Sequence, residues 1–476
     1  MMLKLQPVRP ARTPSFWLQS ALQNETADRN VAPVAEGELK CDICIVGGGY
    51  TGLWTALRLL DLEPSLSVIV LEADLCGSGA SGRNGGLAIG WWSKLETLIS
   101  LCGTEEAIRL AKASADAVDE IGNFALHHGI DVHFRKRGLL RVETTPLHKG
   151  SSASNVALTR ELGLDVYEEL DVSSLRERAD SSTFVSGVLD KTAATIQPAL
   201  LARGLQHVAM AMGVQVFERS PVIEVNGGNN PIVRTLRASI RADKVVLTTN
   251  AWLAGIPELR RAMIVVSSDM IATPPIGAEL ADLGWTGGEG IADARLMVHY
   301  LQATVDGRIA LGRGSGALAH LGRVSNTFND PGRRTGQITE GLRFLFPSLS
   351  TVEPEYAWTG PIDRTRSGTM IFGTLTGQPT VHYAAGYSGT GVAPSLVAAR
   401  VIASTVLDRQ DEWQRSPINR SWLIKYPPDP VRFFGGLFVR GQVFRKEENE
   451  QRGIAAGFVR QWTAAQANPR LPSSKN

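Results

Sequence analysis

The stretch Cys41-Asp42-Ile43-Cys44-Ile45-Val46-Gly47-Gly48-Gly49-Tyr50-Thr51-Gly52 narrows the possible folds more than any other part of the chain. An apolar run ends in Gly-x-Gly-x-x-Gly and passes into helix-forming residues, Leu53 to Leu60. Twenty residues beyond Gly52, a second apolar run (Leu66 to Leu71) ends in Glu72. Strand, turn, helix, strand and acid in this register form the dinucleotide-binding βαβ pattern. Gly47 permits the tight turn, Gly49 lets the backbone approach a pyrophosphate, and Gly52 lets helix and strand pack closely. The helix N-terminus, with Tyr50 and Thr51 in its first turn, offers N–H groups and partial positive charge to phosphates. Glu72, followed by Ala73, is placed to accept hydrogen bonds from a ribose hydroxyl pair and to repel a 2′-phosphate.

At 476 residues the chain has room for two or three domains. Its 49 basic and 47 acidic side chains give a net charge of +2, so no strong field steers it to nucleic acid. The four cysteines (Cys41, Cys44, Cys76, Cys102) are too few for a disulfide scaffold. Cys41 and Cys44 read as C-x-x-C, but positions three apart on a strand point to opposite faces, so buried thiols are expected. His127-His128 has no matching ligand pair, and no metal site is expected. No secretory signal and no apolar run of about 18 residues is visible, which gives a cytoplasmic protein as the expectation.

Helical spacing covers residues 104–128, with Ala107, Leu110, Ala111, Val118, Ile121 and Ala125 on one broad face and Ser114 as its polar interruption. Further helices are expected near 150–163 and over 198–212. Strands are expected at Gly138–Val142, Val214–Phe217, Val222–Val225 and Val245–Thr249. Arg295–Thr304, Asp306-Gly307 and Arg308–Gly312 form a hairpin pattern. The segment 381–408 returns to strand, glycine turn and helix.

Three later segments follow Glu72 in a fixed order: Gly77-Ser78-Gly79-Ala80-Ser81-Gly82-Arg83-Asn84-Gly85-Gly86, then Leu247-Thr248-Thr249-Asn250-Ala251-Trp252, then Gly386-Tyr387-Ser388-Gly389-Thr390-Gly391. Together with the fingerprint they resemble the FAD-dependent D-amino acid oxidase and sarcosine oxidase superfamily over residues 40–410. The Gly-Ala-Ser-Gly-Arg-Asn-Gly-Gly string resembles the branch holding γ-glutamylputrescine oxidases. The longer run from Leu75 to Lys94, with Met297-Val298-His299-Tyr300, is similar to proteins proposed to be aminophosphonate oxidoreductases.

The resemblance implies an α/β fold, α+β as a whole. A discontinuous Rossmann-like FAD-binding domain (39–95, 190–255 and 356–412) would carry an antiparallel-sheet substrate domain (96–189 and 256–355). An N-terminal arm over 1–38 and a C-terminal extension over 413–476 complete the expected organisation. FAD would be held non-covalently, Cys76 being expected as a buried thiol. Gly79, Ser81, Arg83, Asn84, Gly85 and Gly86 would pass the flavin edge, with Arg83 neutralising phosphate or anchoring the loop. Val222 on its strand would meet adenine. Asn250 and Trp252 would follow a strand of the cofactor sheet. Gly389, Thr390, Gly391 and Val392 would open a helix whose dipole stabilises charge on the reduced ring.

For substrate, the resemblance implies a small-molecule amine, primary or secondary, with an anionic tail. Hydride would pass to flavin, an imine would hydrolyse, and oxygen or another acceptor would take the electrons. Tyr300 and His299 alternate on one strand, so only one faces the pocket, and Tyr300 is preferred. Arg313 is positioned to pair with an anionic tail. Trp91, Trp92, Lys94, Tyr387 and Trp358-Thr359-Gly360 are further neighbours. Residues 431–452 read as a basic amphipathic helix packed on the protein body or a partner subunit rather than on a membrane. Neither the amine nor the oligomeric state is legible.

Overall fold

The computed structural model describes residues 2–8, 14–23, 25, 31–419 and 423–468. The remaining parts of the expected N-terminal arm and C-terminal extension lie outside the described residues. The chain has a mixed α/β fold built on a nine-stranded and an eight-stranded sheet.

Five parallel strands centre the larger sheet, in the order Gln378–Ala385, Ala238–Leu247, Gly37–Val46, Val68–Leu71 and Gln215–Phe217. Both faces of Gly37–Val46 are covered near its end, which is why Cys41 to Val46 read as an almost unbroken apolar run. Helices Tyr50–Leu62 and Pro394–Val406 pack on this sheet and on each other. Met2–Lys4, within the expected N-terminal arm, joins the same sheet through Glu224–Asn226 and Ile232–Arg234.

The strand Gly37–Val46 departs from simple alternation. Both Asp42 N and Ile43 N donate to Ser67 O, at 3.0 and 3.2 Å, and the pairing with Ala238–Leu247 skips Asp42. Cys41 and Cys44 fall in the same buried cluster and their thiols touch, against the expectation of opposite faces. Both are buried and reduced. The neighbouring Cys41 sulfur and burial raise the Cys44 thiol, so Cys44 is not poised as a thiolate.

The eight-stranded sheet runs Tyr356–Thr365, Met263–Ala272, Ile309–Leu318, His299–Ala303, Gly290–Asp293, Leu139–Glu143, Ser186–Asp190 and Tyr167–Leu170. Every pairing is antiparallel except that of Gly290–Asp293 with Leu139–Glu143. Tyr356–Thr365, placed with the cofactor segments on sequence, is the edge strand here. The hairpin turns at Gly307, whose φ of +78° suits glycine. The helix Thr104–His127 follows its expected stripe, but Ser114 is more than a tolerated interruption: its Oγ accepts from Trp91 N at 2.8 Å and donates to Ala111 O at 2.7 Å. Val222 lies two residues before its strand rather than on it.

The helix Val431–Gln451 overturns the simple amphipathic reading. It buries Arg432, Val443, Glu447 and Glu450 and leaves Phe434, Leu437 and Phe438 exposed. The inward face meets buried charges on the eight-stranded sheet, and ion pairing decides which side turns in.

Candidate active site

The parallel strands end together at Val46, Leu71, Leu247 and Ala385, where ligands bind in open α/β sheets. A cavity of about 410 Å³ begins there and extends beneath the eight-stranded sheet. Gly47, Gly49, Tyr50 and Thr51 line it from the first turn, Glu72 and Ala73 from the end of the next strand. Gly79, Ser81, Arg83, Asn84 and Gly85 line it from the glycine loop, and Val222, Asn250 and Trp252 from two further segments. Gly389, Thr390, Gly391 and Val392 complete that end, just before helix Pro394–Val406. Gly52 and Gly86 stay outside the lining. A Cβ at Gly52 would collide with the Gly47 carbonyl, and one at Gly86 with Gln302 and the Ile196 carbonyl. Both allow close packing rather than ligand contact.

The glycine-lined segments are tied to one another. Tyr50 N donates to Ser81 Oγ at 2.9 Å, and the Thr51 and Tyr387 hydroxyls share a short hydrogen bond. The Asp363 carboxylate accepts from the backbone N–H of Gly386 and, at 3.1 Å, of Tyr387, fixing the third turn. Burial pushes Asp363 up to about 6, against those N–H groups. The loop 79–86 has few backbone partners of its own and is held from outside. Ser15 Oγ donates to Gly82 O at 2.5 Å, Trp17 Nε1 to Asn84 O at 2.9 Å, and Trp358 Nε1 to Arg83 O at 2.9 Å. Gln302 Nε2 donates to Gly85 O at 2.8 Å. Arg83 answers by donating to Ser78 O and Thr359 O, so it anchors the loop.

These residues fit a bound dinucleotide. No side chain caps helix Tyr50–Leu62, whose N-terminal turn lines the cavity. The Asn250 side-chain oxygen is buried there without a partner. Glu72 accepts from Gly48 N at 2.7 Å and Asp74 N at 3.0 Å, and burial pushes it up to about 7. Ribose hydroxyls would add the donors that favour its charged form. Cys76 is fully buried and does not line the cavity.

Beyond the glycine loop the cavity becomes a chamber walled by Leu87, Ile89, Leu139, Ala292, Val298 and Tyr300. Tyr300 packs so closely on Gly85 that a Cβ there would stand 2.5 Å from its ring. Its hydroxyl shares a short hydrogen bond with Ser268, and burial pushes its pKa up to about 12, so it stays protonated.

His299 and Arg313 do not reach this chamber. They pair across neighbouring strands on the opposite face of the sheet. There His299 Nδ1 bonds Asp293 Oδ2 at 2.7 Å, Arg295 lies 3.2 Å from the same carboxylate, and Arg313 lies 3.7 Å from Glu447 of the C-terminal helix. Burial lowers the His299 pKa although Asp293 opposes it. Arg313 is a clamp for the C-terminal helix, not a tail-binding residue. Trp91 and Trp92 are core side chains at 2% and 4% exposure, not chamber walls. Lys94 is tied to Gly368 O at 2.7 Å, while Tyr387 and Gly360 do line the cavity.

Ser15, Trp17, Gln302, Asp363 and Arg141 are the residues missed on sequence. Of these, only Arg141 carried a readable signal, a lone cation inside the apolar strand Leu139–Val142.

A family profile described as FAD dependent oxidoreductase (DAO) matches residues 42–405. The chain belongs to this family and is a FAD-dependent oxidoreductase. It is 29% identical over 368 residues to the γ-glutamylputrescine oxidoreductase of Escherichia coli, covering 77% of this chain and 83% of that one. It is also 29% identical over 377 residues to the Haemophilus influenzae protein described as probable oxidoreductase OrdL, with the same coverages. Among solved structures, glycine oxidase from Geobacillus kaustophilus superposes with a TM-score of 0.65 at 17% identity, over 81% of this chain and 99% of that one. This last likeness shows the shared fold.

Proposed function

We propose that the protein oxidises a primary or secondary amine bearing an anionic tail, such as an aminophosphonate or a γ-glutamyl amine. The amine, oxygen and water would become a carbonyl compound, ammonia or a smaller amine, and hydrogen peroxide. The observation that carries this reading is one cavity with two characters: glycine-lined turns at one end, an apolar chamber under Tyr300 at the other.

FAD, held by the glycine-lined turns, would supply a two-electron acceptor beside the carbon next to nitrogen. The chain's residues supply position and dryness. Leu87, Ile89, Leu139 and Val298 exclude water, which favours the neutral amine over ammonium and delays imine hydrolysis until release. Tyr300, protonated and held by Ser268, offers an oriented hydroxyl to the substrate rather than a base. The backbone turn Gly389–Val392 at the start of the last helix faces the same cavity and is suited to stabilising negative charge.

The test is anaerobic mixing of holoenzyme with amines, followed by flavin absorbance, then admission of oxygen with peroxide assay. Bleaching by anionic amines and stoichiometric peroxide on reoxidation are expected. Bleaching without peroxide would move the acceptor to a carrier, and no bleaching by any amine would end the reading.

A further inference from the structure

Arg141 stands out once Arg313 is assigned to the opposite face. It lies in cross-strand register with Ala292, which in turn pairs with Tyr300, so the three side chains share the face lining the cavity. It shares the cavity wall with the apolar Leu139, Ala292 and Val298, and its polar neighbours are Asp190 and Tyr167. Among the described residues it makes no side-chain hydrogen bond. Its Nε is buried without an acceptor, and its closest carboxylate, Asp190 Oδ2, stands 4.0 Å from the terminal nitrogen. Asp190 is itself engaged by Thr192 N and Thr192 Oγ1, at 3.1 and 2.7 Å. Asp190 thus orients Arg141 without consuming its donors.

We propose that Arg141 is the specificity-determining anchor for the oxyanion, carboxylate or phosphonate, at the far end of the amine substrate. This rests on the amine-oxidation reading and deepens it by fixing where the charge lies. Tyr300 sits on Gly85, at the loop assigned to the flavin edge, and Arg141 is two strands away. At about 4.8 Å per strand this separates their backbones by about 10 Å. A carboxylate on the reacting carbon itself would lie too close to that carbon to use both ends of the chamber. A chain of two or more carbons between nitrogen-bearing carbon and oxyanion would span it. The planar fork of arginine receives either oxyanion bidentately.

Two measurements on FAD-loaded protein test this. In the first, butyrate and ethylphosphonate, which cannot be oxidised, are titrated into wild type, Arg141→Met, Arg141→Lys and a variant of a second cavity-lining arginine, Arg364→Leu, read by the shift in flavin absorbance. Arg141→Met should weaken binding about 10- to 100-fold, as loss of charge-assisted hydrogen bonds implies, with partial rescue in Arg141→Lys. In the second, kcat/KM is compared for glycine, 4-aminobutyrate, 3-aminopropylphosphonate and butylamine. The two longer anionic amines should exceed glycine, and Arg141→Met should reduce only their kcat/KM, through KM, leaving butylamine unchanged.

Equal losses for butylamine, or a loss carried by Arg364→Leu in place of Arg141→Met, would overturn the assignment. If no amine is oxidised yet the titrations still depend on Arg141, the amine-oxidation reading fails and the oxyanion site stands. Preference for butyrate or ethylphosphonate separates a carboxylate tail from a phosphonate one.

Discussion

The two ends of the cavity are built by different means. At the nucleotide end, backbone does the shaping: Gly47 takes a φ of +115°, and Gly52 touches the Gly47 carbonyl directly. At the chamber end, ordinary strands do the shaping, and only the identity of alternate side chains decides what the space is. The first construction tolerates almost no substitution, whereas the second can change its ligand by changing one residue such as Arg141. A fold that must keep one cofactor while its substrates vary is served by that division.

The sharpest attempt to break this contrast is Gly52→Val. A side chain there overlaps the Gly47 carbonyl and crowds Thr248 Oγ1, 3.0 Å from the new Cβ. The expected result is purified protein with essentially no flavin, measured as the absorbance ratio of flavin to protein after gel filtration. Full flavin content would show that the backbone at this end gives way more easily than its packing implies.

Next in size is Asp293→Ala, on the sheet face away from the chamber. Burial alone would raise this carboxyl, but His299 and Arg295 hold it below its ordinary value. Its removal leaves Arg295 and His299 buried without their carboxylate, at a cost of about 3–5 kcal/mol. Urea unfolding should show that loss while KM for the amine stays unchanged in the protein that remains folded. A changed KM with intact stability would put this cluster in the chamber after all.

How much of this was readable follows the same division. The fingerprint, the loop after Glu72 and the Gly386–Gly391 turn were legible because glycine patterns encode backbone shape locally. Tyr300 over His299 was legible as an alternative, since a strand shows one of two neighbours to each face. Arg313 was misplaced because its strand register is fixed by pairing with His299, a long-range fact, and because its partner Glu447 lies far along the chain. The C-x-x-C faces were misjudged for a related reason: Asp42 N and Ile43 N, between the two cysteines, both bond Ser67 O, outside the motif. The donors into the loop, from Ser15 and Trp17, Gln302 and Trp358, come from three separate segments, and no local pattern announces them.

A smaller effect, visible as a slope against pH, belongs to Lys94, which is tied to Gly368 O and Tyr387 O beside the third glycine turn. Burial, helped by nearby Arg364 and opposed by Asp363, lowers its pKa from 10.5 to about 7. Below pH 7 the folded protein carries a buried ammonium and its full cost. Between about 7 and 10.5 the unfolded chain holds a proton that the folded one has released, so stability rises with pH across that window. Lys94→Met should flatten the rise, read from urea midpoints at a series of pH values. An unchanged slope would mean that Lys94 stays charged in the folded protein.

The smallest change tests whether the flavin loop belongs with the rigid end or the adaptable one. Ser15 caps helix Phe16–Gln23, its Oγ accepting from Leu18 N at 3.1 Å, and the same hydroxyl donates to Gly82 O. Ser15→Ala deletes one oxygen and both bonds, for an expected loss of about 1–2 kcal/mol. If the loop is part of the rigid cofactor end, FAD should dissociate measurably faster on dilution, with KM for the amine unchanged. If instead KM rises while FAD release is unaltered, the loop answers to the chamber, and the boundary between the two ends lies on the nucleotide side of Gly79. The long-range donors favour the first outcome: each ends on a loop carbonyl from Gly82 to Gly85, and none reaches into the chamber.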